Sequence, residues 1–318
     1  MPDETGLVTG ASFMIHDCVI MFNELFGKGG LSLDRLQTLC EVAEKGSIGE
    51  ATKGDTNRQT QFSRQISELE KFFGVELLNR ESRPYRLSEE GRQLSKLSRD
   101  YLGGLSDFKA RCGDRPVKLV IGAGEGTIQW LLLPMLEKFT DHLPNASISM
   151  KSLRTLDIIK GLIDGDVDLG FVRKTAVVKP LKSTGKWQYG YRLFIPRRMR
   201  KKLEEKVSVS QLASIPLALI GGQGEFRRQL DGLVKDASID LDVRLECSSH
   251  AQVATAILSG KYGGFLPNFA TRMLPEAKIG NYEVSGFENL KRQLVFAWNP
   301  KQRELRPVID EAIRLLRG

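Results

Sequence analysis

The chain has 318 residues, of which 41% are hydrophobic and 27% are charged, and its formal net charge is +8. This length allows two or more domains with separate cores, and the composition excludes a fibrous or wholly disordered protein. No stretch is apolar for long enough to cross a membrane, so we expect no membrane partner. The basic surplus favours an anionic partner. It is concentrated in residues 173–206, whereas residues 31–115 are nearly neutral.

The cysteines and histidines argue against catalysis and metal binding. Cys18, Cys40, Cys112 and Cys247 are scattered, without CxxC or metal-ligand spacing. This pattern predicts free thiols in a reducing compartment, which we take to be the cytoplasm. Only three histidines are present, and no HExxH, GxSxG or P-loop spacing occurs. We therefore predict no catalytic residue, no cofactor and no metal site.

Residues 1–30 form an N-terminal extension with two open interpretations. Residues 13–26 are apolar but are interrupted by polar side chains, and a glycine-rich break follows. The segment could form an extra amphipathic helix. It could equally be non-essential sequence upstream of an alternative start at Met21.

Three helices are predicted next. The first spans residues 33–45 and ends at Gly46. Ser47 and Glu50 then have capping-box spacing for a short second helix. The third helix is predicted over residues 58–73. Its apolar stripe at helical spacing consists of Phe62, Ile66, Leu69 and Phe73.

The opposite face of the third helix is polar, which suits contacts with base edges and phosphates. If this helix is considered without its neighbours, the alternative interpretation is an ordinary solvent-exposed helix face. Residues 76–80 and 85–87 follow as short strands of a hairpin with basic residues. Together with the three helices, this hairpin defines a winged helix-turn-helix domain over residues 31–88, with double-stranded DNA as its partner. The candidate DNA contacts are Ser47, Arg58, Gln59, Thr60, Gln61, Ser63, Arg64, Arg80, Arg83 and Arg86.

A long linker helix is predicted over residues 89–115. Gly103 and Gly104 should weaken it and favour a kink or an early end. An apolar stripe on a helix that projects from a small domain is typical of a dimer seam. The stripe consists of Leu94, Leu97, Tyr101, Leu105 and Phe108.

Strands and helices alternate in residues 116–318. Strands are predicted at 117–122, 148–150, 167–172, 241–247, 262–266 and 292–298. Helices are predicted at 155–163, 251–258 and 305–316, with a further helical stripe from Ile128 to Phe139. This alternation predicts parallel sheet with right-handed crossovers.

Several of these segments carry a family resemblance. AEKGSIGEA, QTQFSRQISELEKFFGVELLNR and RLSEEGRQL resemble the N-terminal domain of LysR-type transcriptional regulators. LIDGDVDLGFV and ILSGKYGGFLP resemble their effector domain, which is similar to type 2 periplasmic binding proteins. The resemblance implies an α+β multidomain regulator that forms a homodimer or homotetramer, with RNA polymerase as a further candidate partner.

The resemblance also implies a two-lobed effector domain that binds a small molecule. We place lobe I at residues 116–172 and 264–318, and lobe II at 173–263. Ligands in such folds bind between the lobes, near strand ends and helix N-termini that favour anions. A small anionic effector is therefore expected, whereas Glu125 argues against a simple carboxylate site: it could instead select an amine or lie outside the pocket. Its candidate contacts are Gly124, Thr127, Arg154, Arg173, Ser248, Ser249 and His250. Four of the polar candidates have a plain structural alternative: Thr127, Ser248 and Ser249 as helix caps, and His250 as a surface or capping residue.

The turn before the third helix departs from the family pattern. Asp55 and Asn57 stand where apolar residues are usual. We expect looser packing between the second and third helices, and Asn57 could provide the N-cap. The main alternative function is therefore a ligand-binding protein whose altered reader binds DNA non-specifically or acts through a protein partner. A peroxide sensor is a minor alternative, since that branch uses a cysteine pair where this chain has Cys247 alone.

Overall fold

The computed structural model describes residues 23–26, 29–81, 83–135, 141–199, 206–222, 224–287 and 291–316. Most of the predicted N-terminal extension lies outside these residues, and Asn23–Phe26 is a single helical turn. The chain divides into two compact units, Met1–Ser106 and Asp107–Gly318.

The first unit contains the three predicted helices: α1 (Leu33–Lys45), α2 (Ile48–Thr52) and α3 (Thr56–Phe73). Gly46 ends α1 with a φ of 88°, a conformation that glycine adopts without a Cβ penalty. The three helices and the hairpin bury one apolar core. Its buried members are Leu39, Val42, Ile48, Phe62, Ile66, Leu69, Leu77, Leu78 and Leu87. Phe73 is more than a third exposed, so the buried stripe of α3 ends at Leu69.

The turn before α3 differs from the prediction. Asp55, not Asn57, is the N-cap: its carboxylate accepts hydrogen bonds from the backbone nitrogens of Asn57 at 2.9 Å and Arg58 at 3.1 Å. The helix consequently starts at Thr56, two residues earlier than predicted. The predicted loosening is not seen, because Ile48 of α2 and Phe62 of α3 share the buried core. A polar residue here satisfies backbone donors that would otherwise have no partner.

A two-stranded hairpin and a long helix complete the first unit. β1 (Leu78–Asn79) pairs with β2 (Arg86–Leu87) in antiparallel register. The helix α4 (Glu89–Cys112) runs from this unit into the second. Gly91 lies against the hairpin so closely that a Cβ there would be 2.2 Å from the Leu77 carbonyl oxygen. The predicted long helix is continuous through Gly103 and Gly104, so the alternative of an early end there does not occur.

The second unit contains two sheets. The first has the strand order β4-β3-β5-β13-β6. Its strands are β3 (Val117–Ala123), β4 (Ala146–Ser152), β5 (Leu169–Arg173), β6 (Lys182–Tyr189) and β13 (Arg292–Trp298). β3 is parallel to β4 and β5, whereas β13 is antiparallel to β5 and β6.

The second sheet has the order β10-β9-β11-β7-β12-β8. Its strands are β7 (Tyr191–Pro196), β8 (Lys206–Val207), β9 (Leu217–Ile220), β10 (Val243–Cys247), β11 (Gly263–Pro267) and β12 (Ile279–Val284). β7 is antiparallel to both of its neighbours. The prediction of parallel sheet is therefore only partly right, since each sheet is mixed.

Helices pack on these sheets and supply the rest of the two cores. They are α5 (Thr155–Asp164), α6 (Glu225–Asp236), α7 (His250–Leu258), α8 (Pro300–Leu305) and α9 (Pro307–Leu315). The helical stripe predicted from Ile128 to Phe139 is not a regular α-helix in its described part: residues 125–127 form a short α-helical turn, and π-helical and 3₁₀ turns follow over residues 128–135. The remainder of that predicted stripe, including Phe139, lies outside the described residues.

The sheets place the lobe boundaries later than predicted. β6 belongs to the first sheet and β7 to the second, so the chain crosses at Gly190 rather than near Val172. It returns between Val284 and Arg292 rather than near Gly264. Lobe I therefore ends at Tyr189 and resumes at β13. Both shifts arise because β6 pairs with β13, and β12 pairs with β7, across long stretches of sequence.

No helix in the described part of the chain is both long enough and apolar enough to cross a bilayer.

Candidate functional site

One face of α3 is exposed and polar along its whole first half. Arg58, Thr60, Gln61, Ser63 and Arg64 are largely exposed, and Gln59 is also on this part of the helix. Phe62 and Ile66 hold the opposite face in the core, which fixes the rotation of the helix. The guanidinium of Arg58 lies 5.4 Å from the Phe62 ring centroid. Side chains with hydrogen-bonding groups are thus presented together on a rigid element, as base recognition requires.

A single carboxylate on α3 organises the hairpin. One oxygen of Glu70 accepts hydrogen bonds from the backbone nitrogens of Leu77 at 2.9 Å and Leu78 at 3.3 Å. Its other oxygen accepts from the Arg80 guanidinium at 2.7 Å. Arg80, a predicted DNA contact, is therefore paired within the chain, while Arg83 and Arg86 are exposed. Glu70 fixes the hairpin relative to α3.

Ser47 is placed differently from the other predicted DNA contacts. Its side chain is buried, with 3% relative exposure, and its hydroxyl accepts a hydrogen bond from the Glu50 backbone nitrogen at 3.2 Å. The hydroxyl therefore serves as the N-cap of α2. Its role in this structure is to hold the turn at the start of α2.

The predicted seam on α4 is largely unpartnered within the described chain. Leu97, Tyr101, Leu105 and Phe108 are each more than half exposed. Leu94 is the exception, because it is partly buried against the core of the first unit. Leu94 therefore contributes to that core. Four large apolar side chains left in water on one helix indicate a surface that another chain covers.

The second unit holds an open cavity of about 750 Å³ between its two sheets. All seven predicted effector contacts line it: Gly124, Thr127, Arg154, Arg173, Ser248, Ser249 and His250. The strand ends that were predicted to converge therefore do so. The lining also contains aromatic side chains and Arg292, which lies in the same cavity as Arg173; none of these was predicted from the sequence.

The serines of this cavity are occupied by local hydrogen bonds. The Ser249 hydroxyl is the N-cap of α7 and accepts from the Gln252 backbone nitrogen at 3.3 Å. Ser248 donates from its backbone nitrogen to the Gln252 side chain at 2.8 Å. Thr127 makes no cap hydrogen bond with its side chain. The capping alternative thus describes Ser249 but not Thr127.

Charges from both lobes meet at one wall of the cavity. Arg173 at the end of β5 is paired with Glu225 at the start of α6. Arg292 at the start of β13 approaches the same Glu225 oxygen at 3.3 Å and donates to Gln229 at 3.0 Å. The Arg292 guanidinium also lies 5.8 Å from the Tyr191 ring centroid. Burial raises the pKa of the Tyr191 phenol, so this ring stays neutral.

His250 is a neutral histidine in this cavity. Its Nε2 is buried and has no hydrogen-bond partner in the described part of the chain. Burial lowers its pKa to about 4. Its ring packs near Trp130 and Tyr191, with centroids 6.5 Å and 5.8 Å away. At neutral pH it contributes no positive charge and can offer only neutral hydrogen-bonding groups to a ligand.

The lowered pKa of His250 predicts an acid-sensitive second unit. The unfolded state takes up a proton below its ordinary pKa of 6.5, whereas the folded state resists protonation until about pH 4. The contribution of His250 to stability is therefore complete above pH 6.5 and is lost as the pH falls towards 4. When the pH is lowered from about 7 to about 5, we expect the His250 contribution to reduce the free energy of unfolding by about 2 kcal/mol.

Urea unfolding of the full-length protein at both pH values measures this effect. The control is His250→Gln, which cannot titrate, so the difference in stability between native protein and variant should fall with pH. An unchanged difference would contradict the buried, neutral histidine.

A buried ion-pair network lies where α4 enters the second unit. Arg306, between α8 and α9, donates to Asp107 of α4 at 2.7 Å and also to Asp168. The same guanidinium donates to the Lys118 carbonyl at 2.6 Å, and Asp168 accepts from the Val120 backbone nitrogen at 2.7 Å. Arg306 is only 12% exposed, and the two carboxylates are less so. This network, the Arg306 cluster, fastens the end of α4 to β3 and to the loop before β5.

Among the described residues, no group of three or more histidine, cysteine or acidic side chains has the arrangement of a metal site.

Two family models match this architecture. Residues 33–92 match the bacterial regulatory helix-turn-helix protein of the lysR family, and residues 115–318 match the LysR substrate binding domain. The chain belongs to the LysR family of transcriptional regulators and carries both its DNA-binding and its effector-binding domain.

Individual relatives support the same arrangement over most of the chain. An uncharacterized HTH-type transcriptional regulator, YybE of Bacillus subtilis (strain 168), is 24% identical over 284 residues, covering 87% of this chain and 94% of the relative. Among solved structures, a full-length variant of OxyR from Pseudomonas aeruginosa is 17% identical with a TM-score of 0.62, covering 88% of this chain and 94% of that chain. Full-length CbnR in complex with its target DNA is 21% identical with a TM-score of 0.55, covering 90% and 99% of the two chains.

Proposed function

We propose that this regulator reads double-stranded DNA with the exposed face of α3 and holds phosphates with the arginines of its hairpin. The observation that carries the proposal is the sharp division of α3 into a buried apolar side and an exposed polar side. Gln61 and Arg64 are both exposed and can make bidentate contacts with base edges. Arg83 and Arg86 supply positive charge for the phosphate backbone of the DNA. Arg80 supplies charge there too, with its guanidinium hydrogen-bonded to Glu70. CbnR, which has a similar fold, has been solved in complex with its target DNA, and this supports DNA as the partner.

The protein acts as a homo-oligomer, a dimer or a tetramer, through the seam of Leu97, Tyr101, Leu105 and Phe108 on α4. Their exposure in the single chain supports this role. Two recognition helices held at a fixed spacing would read the two halves of a near-palindromic site. RNA polymerase is a further proposed partner, to which we assign no residue. Since its partner is DNA, we propose that the protein acts in the cytoplasm.

Charged substitutions in the seam should produce monomers. In the double variant Leu97→Asp, Tyr101→Asp, dimer formation would bury carboxylates of like charge. Each buried carboxylate without a partner costs several kcal/mol. We expect light scattering to report a mass close to the 35.6 kDa of one chain. Ser106→Asp is the matched control, because residue 106 projects from the opposite side of α4. Persistent dimers of the double variant would refute the seam.

The cavity between the lobes binds the effector. It has the size of small-molecule sites in proteins, several aromatic side chains in its lining and a few convergent polar groups. Arg154, Arg173 and Arg292 bring more positive charge than Glu125 and Glu225 offset, and His250 adds none at neutral pH. This balance supports an anionic effector.

Selection from genomic DNA tests the proposed function. Purified protein is mixed with a genomic fragment library at about 150 mM salt, near physiological ionic strength, and retained fragments are sequenced. We expect a few enriched fragments that share a near-palindromic site beside promoters. Uniform, salt-sensitive retention would instead indicate the non-specific DNA binder that the altered turn suggests. The structure does not favour that alternative, because Asp55 caps α3 and the core of the first unit remains packed.

A further inference from the structure

Two arginines stand side by side at one edge of the first sheet. β5 and β13 are neighbouring antiparallel strands, and Arg173 pairs in register with Leu294, two residues after Arg292. Both arginines line the cavity. Arg292 is only 12% exposed and Arg173 about a third. Two like charges this close together, one of them nearly buried, favour a negative partner.

That partner comes from the other lobe. Glu225 is the first residue of α6, which belongs to lobe II, whereas both arginines belong to lobe I. A single oxygen of its carboxylate, Oε2, contacts both guanidinium groups. The three residues form what we call the cross-lobe triad. One carboxylate balances only one of the two guanidinium charges, so a net positive charge remains at this wall.

We propose that Glu225 is an internal stand-in for a carboxylate of the effector, which binds Arg173 and Arg292 in its place and thereby opens the cross-lobe triad. The inference rests on the proposed function, in which the cavity between the lobes is the effector site. Glu225 brings a carboxylate oxygen to both guanidinium groups from the side of lobe II. Guanidinium groups bind carboxylates in two-pronged geometry, yet here one Glu225 oxygen serves both arginines. A ligand carboxylate that approaches from the cavity can place one oxygen on each.

The surroundings of the triad define the rest of the ligand. The Tyr191 ring lies beside Arg292 and is stacked on Phe226, with centroids 4.0 Å apart. Phe171, Tyr189 and Phe269 add further rings to the same cavity. Flat apolar bodies pack favourably against such rings. The effector class is therefore an organic carboxylate with a planar, largely apolar body.

Displacement of Glu225 also gives the ligand a means of control. While Glu225 holds both arginines, the ligand site is filled and the lobes are joined by an ion pair. The apparent affinity for the ligand falls in proportion to the time that Glu225 is bound. A ligand that takes its place selects the state in which α6 is released from the first sheet. Ligand binding and the contact between the lobes are thus exclusive alternatives.

Calorimetric titration of the full-length protein with benzoate, the simplest planar aromatic carboxylate, tests the proposal. Glu225→Gln removes the competing charge while keeping a similar shape. We expect this variant to bind benzoate about tenfold more tightly than the native protein, as for a site about 90% occupied by Glu225. Glu125→Gln is the matched control, since it removes the same charge from the same cavity. If the gain came only from removing a negative charge near the ligand, Glu225→Gln and Glu125→Gln would strengthen benzoate binding equally, which would contradict the displacement of Glu225.

Further variants and probes make each outcome decisive. Arg173→Gln with Arg292→Gln should abolish benzoate binding even when Glu225 is also replaced by Gln. Glu225→Asp is the second variant, for use if Glu225→Gln folds poorly. It keeps the negative charge but on a shorter side chain, which should hold the arginines less well. We therefore expect it to bind benzoate more tightly than the native protein.

Two results would overturn the proposal. The first is failure of the Glu225 variants to bind benzoate more tightly than the native protein. The second is binding of benzylamine that disappears in Glu225→Gln, because Glu225 would then be a direct contact for a cation. Genomic selection with the same preparations tests DNA recognition separately, so failure of one proposal is distinguishable from failure of the other.

Discussion

Replacing Arg306 with methionine is expected to lower the free energy of unfolding of the second unit by about 3–5 kcal/mol. The arginine is nearly buried and donates to both Asp107 and Asp168. Methionine fills similar space but leaves the two carboxylates away from water with no cation between them. Removal of one partner from a buried network costs far more than the network itself contributes to stability.

Tryptophan fluorescence during urea unfolding of the full-length protein measures this decrease selectively. All three tryptophans, Trp130, Trp187 and Trp298, lie in the second unit. The matched control is Arg303→Met, which removes an arginine from a more exposed ion pair with Asp310. This control should cost at most about 1 kcal/mol.

A further variant separates the effect of the missing cation from that of altered packing. Combining Arg306→Met with Asp107→Asn and Asp168→Asn removes the uncompensated charges, so it should recover part of the stability. If Arg306→Met were no more destabilising than Arg303→Met, the Arg306 cluster would have no special energetic role.

Replacing Gln61 and Arg64 with alanine is expected to weaken specific DNA binding by about 1–3 kcal/mol for each bidentate interaction with a base that the substitutions remove. The double variant should therefore bind its site about 30-fold to 20,000-fold less tightly, if the two contributions add. Both side chains are exposed and neither belongs to the buried core, so the domain should remain folded.

Fluorescence anisotropy with a fragment enriched by genomic selection, and with a shuffled fragment of equal length, measures both kinds of binding. Lys71→Ala is the control on the same helix, since Lys71 is exposed and lies in the last turn. Arg83→Ala should instead weaken binding to both fragments alike and reduce the slope of log affinity against log salt by about 1. An unchanged footprint of the Gln61 and Arg64 variant would refute the assignment of this face.

The first unit was predictable almost residue by residue because its signals are local. Glycines and caps set the helix ends, and the spacing of Phe62, Ile66 and Leu69 sets the buried face of α3. The errors there concern roles that depend on neighbouring backbone. Asp55 rather than Asn57 is the N-cap, and Leu94, predicted on the seam, is partly buried against the core of the first unit. Neither choice is decided by periodicity.

The lobe boundaries were not predictable in the same way. Strand β6 contains lysine, serine, glycine and glutamine and has no clear alternation of apolar residues. It is a strand because it pairs with β13, which is about a hundred residues away in the sequence. Since β5 ends where the chain was predicted to cross, nothing local indicated that β6 would return to the same sheet.

The residues of the cavity show the same contrast between local and long-range signals. The predicted effector contacts follow strand ends or precede helices, and such positions can be recognised in the sequence. All of these residues line the cavity. Arg292, Tyr191 and Glu225 were missed because their importance comes from meeting across the lobes. Glu225 in particular follows a glycine-rich turn and carries no signal of its own.

The dual contacts of Glu70 bear on how such a regulator could change its targets. Because this one side chain holds the hairpin through Leu77, Leu78 and Arg80, the supports of the domain are separate from the residues that face outward on α3. Substitutions on that outward face leave those supports intact. New operator preferences can therefore be acquired during evolution, or introduced by design, through a few exposed positions without rebuilding the scaffold that presents them.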